Sequence, residues 1–169
     1  MTALLKLFID LCRLRTAPQD VPHSQLLLLL TAASYFLVAL GVSLLDQSLG
    51  LALISAAVDT ALLAALAYIS LWITGHHERL RQTLIALLGT GTLFGLLGWP
   101  VIAMLQQVPE GQTSNLGLVL LGLIIWNIVV IGHILRHALD MAMWIASGIA
   151  LFYIYTSIRV MSALYIAGS

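Results

Sequence analysis

Charged side chains are scarce in this chain of 169 residues: seven Lys and Arg and seven Asp and Glu make up 8% of it, against 61% hydrophobic residues. That leaves too little polar surface to clothe a soluble globule. The two signs cancel, so the chain offers neither a basic footprint for nucleic acid nor an acidic face. A single cysteine, Cys12, excludes an internal disulfide and leaves the redox compartment open. Extended polar stretches are confined to residues 16–25 and 106–115, which leaves no room for a separate soluble domain. Gly-x-Ser-x-Gly, phosphate-loop and dinucleotide fingerprints are all missing, so no enzymatic activity is expected. Charges interrupt the apolar positions of residues 1–15, which argues against a cleavable signal peptide.

What the chain has in quantity is apolar length. Residues 25–45, 51–74, 83–105, 116–136 and 141–166 each reach the ~20 residues that a helix needs to cross a bilayer. The runs are continuous rather than alternating, which speaks against a transmembrane barrel. The expected fold is all-α: a polytopic membrane helical bundle of five transmembrane helices, residues 25–169. An amphipathic interfacial helix and linker precede it, residues 1–24. In that leading segment Lys6, Asp10, Arg13 and Ala17 share one helical face, while Leu4, Leu7, Phe8, Leu11 and Leu14 share the other. Such a helix would lie in the membrane plane, leucines down, until Pro18 and Pro22 end it.

The basic residues sort by loop. Lys6, Arg13, Arg15, Arg79, Arg81 and Arg136 all fall on one side of the five spans, whereas the connections at 46–50 and 106–115 carry only Asp46 and Glu110. The positive-inside rule then predicts a cytoplasmic N-terminus and a C-terminus on the opposite side of the cell (inner) membrane. Trp72 and Trp144 near one set of ends, and Trp99 and Tyr165 near the other, suit the two interfaces.

Two charges fall inside spans. Asp59 lies about 12 Å below Leu51, and Arg159 about 10 Å before Ile166, at helical rise. A charge at mid-span costs about 2.5–3.5 kcal/mol on insertion scales, which predicts an intramembrane Asp59–Arg159 pair. Tyr155 and Ser162 share the face of Arg159, with Thr156 close by, and Asn127 reaches the same layer. The pair would act as a clasp between helices, or as the polar layer of a relay or binding pocket; the alternative for Arg159 is to snorkel outward unpaired.

His133 and His137 stand one turn apart with Asp140 following, a spacing that can present two imidazoles and a carboxylate to one metal; His76, His77 and Glu78 lie on the same side. No Cys-x-x-Cys or Glu-x-x-His reinforces the pattern, so no cofactor is expected, and metal or haem is the alternative to a polar headgroup-level role beside Arg136. The third span carries Gly89, Gly91, Gly95 and Gly98. The small-xxx-small pair Gly91/Gly95 predicts close packing, within the bundle or against another membrane protein or a second copy. Pro100 is expected to kink that span.

The five closely spaced spans, a cytoplasmic N-terminus and a fourth span reading Ile125-Trp126-Asn127 followed by Gly132-His133 resemble the Yip (Ypt-interacting-protein-like) family. The long polar N-terminal region and Asp-Leu-Tyr-Gly-Pro stretch of its eukaryotic members are missing. The resemblance implies a five-span fold and a non-enzymatic membrane role. Three functions therefore stand open: a membrane-organising, scaffold or accessory subunit embedded in the lipid bilayer; a small transporter or channel built on Asp59, Asn127 and Arg159; or a metal- or haem-binding subunit.

Overall fold

The computed structural model describes residues 2–108 and 115–168, with side chains for 5–108 and 115–166; Glu110 lies outside the described residues. Six α-helices account for most of them: α1 (Thr2–Cys12), α2 (Gln25–Ser43), α3 (Leu49–Ile73), α4 (Leu80–Leu105), α5 (Leu116–Leu139) and α6 (Met143–Gly168). Five of these, α2 to α6, are long and apolar enough to cross a membrane. The chain is a multi-pass membrane protein with an all-helical fold.

Local chemistry sets the helix ends. Ser24 caps α2, its Oγ accepting from the Leu27 amide at 3.3 Å. Gly75 takes a left-handed φ of 75° after α3, and Asp140 takes φ 51° after α5. Asp tolerates that region better than most residues, and its amide returns to the Arg136 carbonyl. Hydroxyls within the spans are satisfied locally: Thr31, Ser34, Thr60, Thr90 and Thr92 each donate to the carbonyl four residues back. α4 continues through Pro100 to Leu105.

α4 is the most enclosed span and packs against α2, α3 and α5. The links α3–α4 and α5–α6 define the proximal end of the bundle. Toward that end the interior is dense: Leu63, Ala67 and Leu71 of α3 meet Ile85 to Leu88 of α4 and Val130 to Leu139 of α5, closed by Ala146 and Ala150 of α6. Arg79 fastens the two links, donating to Asp140 at 2.8 Å and to the His137 and Ala138 carbonyls. His76 approaches the same carboxylate at 3.5 Å.

The leucine face of α1 meets protein rather than lipid. Leu11 is fully buried, and Phe8 lies on Gly89 of α4, where a Cβ would strike its ring. Trp126 donates its indole N–H to the Cys12 carbonyl at 3.0 Å. Trp126 stands about 20 Å from Leu139 at helical rise, so α1 docks along the middle of α5 rather than at its rim. The helix also ends earlier than its prolines predict: Leu14 turns left-handed at φ 59°, before the 3-10 turn Pro18–Asp20. Buried Gln82 holds that stretch, donating to the carbonyls of Gln19 and Val21.

The Gly91/Gly95 face is also occupied internally. A Cβ at Gly91 would meet the Tyr35 ring at 2.6 Å, and one at Gly95 would meet Val38 at 2.6 Å. The close approach expected of this face is made by α2, which is the packing within the bundle, the first of its two expected uses.

Candidate functional site

In the distal half of the bundle, away from the two links, the packing opens into a cavity of about 320 Å³. All five spans contribute to its wall. Tyr35 comes from α2, Asp59 from α3, Gly91 and Phe94 from α4, Asn127 from α5 and Met161 from α6. The lining reaches Ser43, the last residue of α2, and Ile102, near the end of α4. Among the described residues that line it, Asp59 alone is charged.

Asp59 sits about 15 Å along α3 from Leu49 at helical rise, well inside the span. Its Oδ2 accepts from the Tyr35 hydroxyl at 2.6 Å, and its Oδ1 accepts from the Ser157 hydroxyl at 3.0 Å. A carboxylate has about four lone-pair positions, so two hydroxyl donors leave part of its accepting capacity facing the cavity. Glycine makes this geometry possible. Without a Cβ at Gly91, the Tyr35 ring can lie close against α4 and bring its hydroxyl to Asp59. Tyr153, buried on α6, adds a second phenol beside Tyr35 and Asp59. Asn127 lines the cavity and, among the described residues, its carboxamide has no hydrogen bond.

The expected Asp59–Arg159 pair is not formed. Among the described residues the ion pairs are those of Asp140 with Arg79 and His76, and Arg159 is exposed on the outside of α6. Tyr155 is exposed too, and the Ser162 hydroxyl is spent on the Ile158 carbonyl of its own helix. The inward face of α6 is instead Ala146, Ala150, Tyr153, Ser157 and Met161. That series runs at helical spacing and lies about two residues, over half a turn, from the face bearing Arg159. Asp59 and Asn127 were therefore legible from their depth, whereas Tyr35, Tyr153 and Ser157 were not. The signal that could have found Tyr153 and Ser157 is the small-residue register of Ala146 and Ala150, which marks the buried face of α6.

The histidines at the proximal end take other partners. His133 Nε2 lies 3.1 Å from the Thr16 carbonyl, and His137 packs edge-on against His133 with ring centroids 4.6 Å apart. Asp140 turns to Arg79 and His76. No group of three metal-ligating side chains gathers among the described residues. His133 thereby joins Trp126 and Gln82 in tying the N-terminal segment to the bundle. Burial pushes the Cys12 thiol in that segment up to about 11.

Comparison with family models, curated proteins and solved structures yields no match.

Proposed function

We propose that this is a non-enzymatic protein of the cytoplasmic membrane that binds a small solute at Asp59, as a compact transporter or solute receptor does. The observation that carries the reading is the unpaired carboxylate on the wall of a cavity, deep within a span. A charge at that depth is costly, and a clasp built on an ion pair would have brought a cation to it. Asp59 holds only hydroxyl partners and keeps accepting capacity toward open space. The six-to-zero distribution of Lys and Arg supports a cytoplasmic N-terminus, which would turn the cavity toward the opposite side. The resemblance to the Yip family supports the five-span, non-enzymatic character; its Trp126, Asn127 and His133 serve α1 docking and the cavity wall in this chain.

The test is chemical access. In a Cys12→Ser background, Asn127→Cys should react with a small, charged, membrane-impermeant thiosulfonate added from the outside of sealed cells, as should an exposed control at Ser48→Cys. Labelling of Ser48→Cys without Asn127→Cys would mean a closed, dry layer. The scaffold reading would then take its place.

A further inference from the structure

Granting that the cavity binds a solute, we propose that its ligand is an amphiphilic organic monocation, with its cationic head at Asp59 and its apolar body against Phe94 and Leu123. The charge follows from the wall: one carboxylate, with no cationic side chain bound to it among the described residues. A single positive charge on the ligand neutralises it. A bare metal ion fits poorly. Calcium-like ions take six to eight oxygens, whereas Asp59 already accepts from two hydroxyls and the Ser55 hydroxyl is turned to Gln47 Oε1 at 2.9 Å. The space of about 320 Å³ also suits a small organic molecule rather than a dehydrated ion.

The remaining surface selects against a strongly hydrated head without a body. Val38, Phe94, Leu123, Ile124 and Met161 are apolar, and Tyr35 and Phe94 bring aromatic side chains to the wall, which suits a diffuse cation. Phe94 and Leu123 have a second role. They also line a groove of about 390 Å³ beneath α1, between Ile9, Leu97 and Trp126. Those two side chains thus stand between the Asp59 cavity and an apolar groove. Arg13 borders the same groove with its aliphatic stem, so the groove offers a cationic head no polar partner, whereas Asp59 does. The cavity with its carboxylate and the apolar groove differ in preference, and an amphiphile lying against Phe94 and Leu123 has one orientation that suits both.

The test uses the full chain in phosphatidylcholine nanodiscs with radiolabelled decyltrimethylammonium as probe. Saturable binding at one site per chain is expected. Displacement should improve along a series from tetramethylammonium to longer alkyl chains, and the neutral analogue with carbon in place of nitrogen should fail to displace. Asp59→Asn should weaken the probe by about ten-fold or more. Leu123→Trp, which narrows the space left for the tail, should weaken decyltrimethylammonium several-fold more than tetramethylammonium. Equal displacement by the neutral analogue, or no dependence on chain length, overturns the proposal even if Asp59→Asn fails to fold. If Asn127→Cys labels but no cation binds, the ligand class is wrong and the solute-binding reading stands; if Asn127→Cys stays unlabelled, both fall.

Discussion

At Asp59 the decisive fact is which groups answer a buried carboxylate. Two hydroxyls, from Tyr35 and Ser157, come from helices that flank α3, while Arg159 points away. Charge and depth alone made Arg159 the natural partner, because opposite charges at one depth attract and neither property fixes the rotation of a helix. The two sites are energetically separate, so Asp59→Ala and Arg159→Ala should change thermal stability in detergent additively. A coupling energy above about 0.5 kcal/mol in that cycle would restore the direct pair. Tyr35→Phe should cost more than an exposed tyrosine would, since a hydrogen bond to a charged group contributes about 1.5–3 kcal/mol. Gly91→Ala should act on the same bond by pushing the Tyr35 ring off α4. The double variant Tyr35→Phe/Gly91→Ala should therefore lose less than the sum of its parts, and strict additivity would separate the glycine from the carboxylate.

Among the elements, α1 and α6 show what hydropathy can and cannot convey. The amphipathic pattern of residues 4–14 identifies a helix with a leucine face. It does not say whether that face meets lipid or protein, since lipid tails are as apolar as leucine. What decides is specific: Gly89 leaves room for Phe8, Trp126 reaches the Cys12 carbonyl, and Gln82 takes two carbonyls of the connecting stretch. Span number and type were legible because twenty apolar residues have few alternatives; hydropathy did not give the rotation of α6, whose buried face is marked by the small residues Ala146 and Ala150 rather than by polarity. Leu11→Ala should lower stability by about 2–5 kcal/mol, the range for a buried leucine, where a lipid-facing residue would lose far less. Cys12 reports the same docking. With its thiol pushed up to about 11 by burial, it stays protonated at neutral pH and reacts slowly with maleimide. The rate should climb with pH toward about 11, and Leu11→Ala should speed it at neutral pH by releasing α1. Equal rates in the two proteins would mean that α1 is not held against α4 and α5.

Across the whole molecule the two halves of the bundle divide the work. The proximal half is filled from every side and fastened by Arg79 across both links, while the distal half surrounds open space reached by all five spans. Stability should follow that division. Leu135, fully buried in the proximal half of α5, leaves a void on truncation, and Leu135→Ala should cost about 2–5 kcal/mol. Leu120, on the same helix, already borders the cavity, so Leu120→Ala enlarges existing space and breaks fewer contacts. Its loss should fall near the lower end of that range or below it. Denaturation of both variants in mixed micelles compares them directly. Equal losses would mean that the distal half is packed as tightly as the proximal one, and the space around Asp59 would then be too well closed to admit a ligand. A clear difference would fit a molecule that keeps one half rigid so that the other can stay open, with the Asp59 carboxylate placed on the wall of the open half.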